Sequence, residues 1–151
     1  MIVWCNKDYL FITSDKEPRT AVRKPLPSDS EEERKDKNNK PYLNKIDVTF
    51  TVNYLGTVYV IDIPKGYTWN GTNCLGLQYN PKLLDASCCH DFICEHHNVV
   101  EYDRQLSSII FREIGIASGV NKPFMWLAYY CVDNFQKVFG KDEKGRKWNE
   151  F

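Results

Sequence analysis

The chain has 151 residues, a formal net charge of zero, and 42% hydrophobic and 14% aromatic residues. That length allows a real hydrophobic core, and the balanced charge argues against a protein that holds nucleic acid through its phosphates. No apolar run approaches the roughly 18–20 residues of a membrane span, so no transmembrane segment is expected. The start, "MIVWCNKDYLFITSDKEPR", has no basic stretch leading into a long apolar one, and no signal peptide is read from it. The six cysteines are therefore expected as thiols or ligands in a reducing compartment.

Along residues 1–13, "IVWC" and "YLFIT" flank "NKD", the pattern of two short strands or a hairpin. "PLPSDSEEERKDKNNK" follows with almost no apolar residue, so 27–40 is expected to be a charged, solvated, mobile loop. In "KIDVTFTVNYLGTVYVIDIP", Ile46, Val48, Phe50 and Val52 alternate with polar residues. "LGT" then separates this run from a second, which reads as a hairpin closed by Pro64. "KGYTWNGTN" reads as a glycine-rich loop.

After Pro81 the texture becomes helical. "PKLLDASCCHDFICEHH" has no internal Gly or Pro beyond its opening proline, a favourable first-turn residue. "EYDRQLSSIIFREIGIAS" reads as a second helix with Leu106, Ile109, Ile110 and Ile114 as its buried stripe. "NKPFMWLAYYCVDNFQKVFG" reads as a third, capped by Asn121 and ended by Gly140. The expected architecture is α+β: a small antiparallel sheet, then three packed helices, in one domain over 1–140 with a polar tail over 141–151.

The densest chemistry lies in "DASCCHDFICEHHN", which holds three of the six cysteines and all three histidines. His90, Cys94 and His97 share a helix face, with Asp91 about 100° round from His90. Three readings compete. His and Cys ligands suit zinc, although no C-x-x-C pair is present, and buried thiols are the plain alternative. A His–Asp hydrolytic site would use His90 as base, Asp91 toward a cation and Asp103 as a second acid. Its plain alternative is a structural network in which His90 bonds a backbone group and Asp91 pairs with an arginine such as Arg104. The third reading is a binding module, suggested by four tryptophans and nine tyrosines, most of which a small domain must bury.

"IPKGYTWNGTN", "ASCCHDFIC", "EYDRQL" and a last helix ending in "VFG" together resemble a family of small tailed-phage and prophage proteins of unknown function. The resemblance spans Ile61 to Gly140. Pro64, Gly66 and Tyr67 match the family's strand end, Ala86, His90 and Asp91 its His–Asp helix, Asp103 its downstream acid, and Gly140 its terminal glycine. Asn70 and Asn73 stand where the family has Asp and Ser, and Cys94 where it has Tyr. The first change removes a negative charge from the loop, and the last a hydroxyl that could hold the second acid.

The helix also looks like the His–Asp helix of phospholipase A2 enzymes. That likeness implies His90 as base for water, Asp91 as calcium ligand and Asp103 as the acid that orients His90. Gly66, Tyr67, Trp69, Asn70, Asn73 and Cys94 would line the site. Calcium, or else zinc, is the implied metal, and a lipid or other ester the implied substrate. The alternative is a non-enzymatic virion component or host-factor-binding protein in which the pair is structural. The expected partners are then phage or host proteins, and the expected place is the infected cell's cytoplasm or the virion.

Overall fold

A computed structural model describes residues 3–5, 9–12, 20–23, 27–71, 80–96, 102–142 and 144–148. The fold is α+β, with strands in the N-terminal half and three helices after them. By its contacts the chain forms two compact units, residues 1–49 with 62–71, and residues 50–61 with 72–151.

The first unit is built on a five-stranded antiparallel sheet. Its strands are β1 (Val3–Cys5), β2 (Tyr9–Ile12), β3 (Thr20–Arg23), β4 (Tyr42–Asn44) and, after the hairpin strands β5 and β6 given below, β7 (Thr68–Trp69), in the spatial order β1-β2-β3-β4-β7. The expected N-terminal hairpin is present, with Val3 opposite Ile12. Tyr42 faces Trp69 across the β4–β7 pair, and their rings stack at 5.4 Å. Such an aromatic cross-strand pair holds a short ladder together.

The stretch 27–40, expected as a loop, carries helix α1 (Glu31–Asn39). Ser30 and Glu33 form a reciprocal capping box, and three glutamates follow the cap in the first turn. Arg34 reaches back to the carbonyls of Asp29 and Pro27 at 3.1 and 2.7 Å. Local hydrogen bonds and the dipole therefore favour a helix that buries no apolar stripe. Low hydrophobicity hid it, and Ser-x-x-Glu was the signal that could have shown it.

β5 (Val48–Tyr54) and β6 (Thr57–Ile63) form the expected hairpin, a two-stranded sheet whose base belongs to the first unit and whose tip belongs to the second. Val48 and Val52 are buried while Thr49, Thr51 and Asn53 are exposed, the alternation read from the sequence. Leu55 and Gly56 both have positive φ, 50° and 80°, the requirement of the tight primed turn that matches strand twist.

The second unit adds a 3-10 turn (Pro81–Leu83) and helices α2 (Leu84–Glu95), α3 (Arg104–Ala117) and α4 (Lys122–Phe139). α3 packs on both α2 and α4. Its stripe is turned from the expected one: Ser107, Ser108, Phe111 and Gly115 are buried beside Ile110 and Ile114, while Leu106 and Ile109 are only half-buried. Small residues win these positions because the helices lie close. A Cβ on Gly115 would collide with the Met125 side chain of α4.

Asn121 caps α4 through the Phe124 amide at 2.9 Å, as expected. Gly140 ends the helix at an ordinary φ of −65°, so space rather than left-handed backbone demands glycine there. Gln136 and the Trp148 indole would meet any Cβ. The tail docks: the buried Asp142 carboxylate accepts from the Lys144 and Arg146 amides at 3.0 and 2.7 Å and pairs with the Arg146 side chain. Trp148 then donates to Gln136 at 3.1 Å.

Candidate functional site

The His–Asp helix begins where Asn80 organises the preceding turn, its side-chain oxygen accepting from the Lys82 amide at 3.0 Å. From Leu84 the helical repeat carries His90 and Cys94, four residues apart, onto the face that meets α3. His90 is 5% exposed.

Each side of its ring has a neighbour. The Cys94 sulfur lies 3.6 Å from Nε2, and Asp91 Oδ1 lies 3.7 Å from Nδ1. The Phe111 ring of α3 sits 5.4 Å away and tilted by 58°. Ser107, one turn earlier on α3, brings its hydroxyl to 3.6 Å from the Cys94 sulfur. The cluster therefore bridges α2 and α3.

Burial by itself lowers the His90 pKa, but the Cys94 sulfur and the Asp91 carboxylate outweigh it and raise it to about 10. Both neighbours thus favour the protonated ring, against the burial that opposes it. Cys89, one residue back and fully buried, has its thiol pushed up by burial, with Cys94 and Asp85 adding to the effect. It behaves as an inert core thiol rather than a nucleophile.

Asp91 stands beside His90 as the sequence implied, with a side chain 22% exposed. Asp103 is the N-cap of α3, and its carboxylate accepts the Leu106 amide at 2.6 Å. Capping is thus the interaction the geometry gives this acid. Gly66, Tyr67, Trp69 and Asn70 belong to the first unit. There Gly66 closes a turn with φ 88°, and its amide donates to the Asn44 carbonyl at 2.9 Å. Trp69 is core, stacked between Tyr42 and Tyr67. Asn73 and His97 lie outside the described residues. His96 caps the end of α2, with Nδ1 3.0 Å from the Phe92 carbonyl and its ring stacked on Phe92.

Among the described residues, no three His, Cys, Asp or Glu side chains converge as a metal cluster. Asp91 would need further oxygen donors to hold calcium.

Two arginines of α3, Arg104 and the Arg112 that the sequence did not single out, tie it to α4. Arg104 pairs with Asp133, which also accepts from the Ser108 hydroxyl at 3.0 Å. This answers the expected Arg104–Asp91 pairing with a different acid. Arg112 is buried, pairs with Glu113 at 3.0 Å, and lies over the rings of Trp126, Tyr129 and Tyr54 at 4.1, 5.1 and 5.7 Å. Compared with known proteins, the chain matches no family model, no curated protein and no solved structure.

Proposed function

We propose that the chain is a non-catalytic phage protein that acts by binding another protein, with the His–Asp pair serving as a structural tie. The observation that carries this is the enclosure of His90 between Cys94, Asp91 and Phe111 at 5% exposure. A general base must reach a substrate or its water and must be unprotonated near working pH. A sealed imidazole whose pKa is raised to about 10 suits neither demand. The motif resemblance to small tailed-phage proteins supports a setting in the infected cell or the virion, with a phage or host protein as partner.

A second reading keeps one observation: Asp91 is partly open to solvent directly beside His90. In that reading the two form a His–Asp hydrolase site on a lipid or other ester, with calcium or zinc at Asp91 and Asp103 orienting the base. Thermal unfolding with calcium, with zinc and with chelator, wild type beside Asp91→Asn, decides between them. A ligand that binds only the folded state must raise the melting temperature. No shift with either ion supports the binding role. A rise that Asp91→Asn removes overturns it in favour of the hydrolase.

A further inference from the structure

The Cys94 sulfur lies where α2 meets α3, with polar groups on both sides of the contact. His90, one turn earlier on α2, brings its two ring nitrogens to 3.6 and 3.9 Å. Ser107 brings its hydroxyl to 3.6 Å from the α3 side. Asp91 in turn stands 3.7 Å from Nδ1 of the same imidazole. A thiol with a base in reach, and a carboxylate beside that base, is the arrangement that makes sulfur a nucleophile.

We infer that Cys94 is a modification site, at which a hydroperoxide oxidises the thiol to a sulfenic acid and the added oxygen loosens α2 from α3. This deepens the structural-tie reading above, on which it rests, by naming what regulates the tie.

The sulfur attacks one peroxide oxygen. An S–O bond forms as the O–O bond breaks, and two electrons pass from sulfur to the peroxide. His90 takes the thiol proton and hands it to the departing oxygen. That oxygen leaves as water from hydrogen peroxide, or as an alcohol from an alkyl hydroperoxide. The same groups then hold the product. Both ring nitrogens lie within 3.9 Å of the sulfur, so either tautomer has an N–H near an oxygen placed there. Ser107 offers its hydroxyl from the other helix.

Exposure and activation rank the thiols differently. Cys88 and Cys89 are more deeply buried than Cys94, which is 5% exposed. Burial also pushes the Cys89 thiol up, which leaves it little of the reactive thiolate. Cys131 on α4 is half-buried and so more open than Cys94. Exposure alone would make Cys131 the first of these four to react, whereas the contacts with His90 and Ser107 assign that place to Cys94. Hydrogen peroxide is little larger than water, and the partly exposed Asp91 brings solvent to the edge of the cluster. Protein interiors are close-packed, so an oxygen added to a sulfur already touching both helices must push its neighbours aside.

The experiment treats the reduced full chain with increasing hydrogen peroxide, then unfolds it in dimedone, which traps sulfenic acids, and maps the adducts by mass spectrometry. Cys94 should be labelled at a peroxide concentration about tenfold below that needed for Cys131. His90→Phe, checked for folding by circular dichroism, should lose that preference. Before trapping, the melting temperature of the oxidised chain should fall by about 2–12 °C, the range for an overpacked core in a chain of this size. A thiol reductant should restore it, since the sulfenic acid is reversible. Cys94→Ser should show neither the adduct nor the peroxide-dependent fall.

Labelling of Cys131 ahead of Cys94, or no adduct at Cys94, overturns the oxidation site. An adduct at Cys94 with an unchanged melting temperature overturns its hold on the α2–α3 contact. The melting temperature of His90→Ala without peroxide reads the structural tie by itself, so the two readings fail separately.

Discussion

Replacing His90 by alanine distinguishes a structural tie from a catalytic base. Truncation removes the aromatic contact with Phe111, and such pairs are worth about 0.5–1.5 kcal/mol. It opens a void between α2 and α3, where large-to-alanine changes in cores cost about 2–5 kcal/mol. It also strips a partner from Cys94, while the partly exposed Asp91 recovers some hydration. We expect a net loss on the order of 3 kcal/mol, in the lower part of the cavity range because a polar imidazole gains less from leaving water than a leucine side chain does. At about 2–4 °C per kcal/mol for a chain of this size, the melting temperature should fall by about 6–12 °C.

His90→Phe should keep the packing and lose only the charge network, with a fall of about 2–4 °C. Thermal unfolding followed by circular dichroism at pH 7 reads both. A His90→Ala protein that melts within about 1 °C of wild type would refute the structural reading, since no core residue in this position can vanish without cost.

Three further outcomes are expected. With a folded pKa raised to about 10 against an ordinary 6.5, His90 contributes its full stabilisation below pH 6.5 and loses it as pH rises toward 10. Cys89, also raised, adds a loss of its own only above its ordinary value of 9.0, so a pH series of melting temperatures should decline from pH 6.5 upward, and in His90→Phe should stay flat until that thiol range is reached. Asp103→Ala should cost about 0.5–2 kcal/mol through the lost cap, and Asp103→Asn a few tenths. Neither should move the NMR titration of His90, whereas an orienting acid would shift it in both variants. Gly115→Ala should destabilise by about 1–3 kcal/mol in denaturant titration, because its Cβ meets Met125. An exposed helical glycine would instead gain about 1 kcal/mol from the same change, so the sign of the effect tests the α3–α4 contact.

The three helices after Pro81 were legible because their signals are local. Asn121 caps α4 by a bond three residues away, and Val48 to Val52 show a period of two that only a half-buried strand requires. The same locality explains the missed α1. Its signal, Ser30 with Glu33, is a hydrogen-bonding pattern rather than a hydrophobic one. The three-residue β4 and two-residue β7 were invisible because strands that short take their stability from the ladder, not from their own residues.

The candidate site divides along the same line. Sequence alone placed His90, Asp91 and Cys94 on one helix and Asp103 at the start of the next, since helical geometry follows from spacing. Only the tertiary structure decided what those residues face. Whether an imidazole opens on a cleft or is enclosed depends on the helix packed across from it. The residues across from it on α3, Phe111 beside the ring and Ser107 beside Cys94, lie 21 and 17 positions beyond His90 along the chain. Burial, and with it the protonation of His90, is a property of that packing and is written in no single segment.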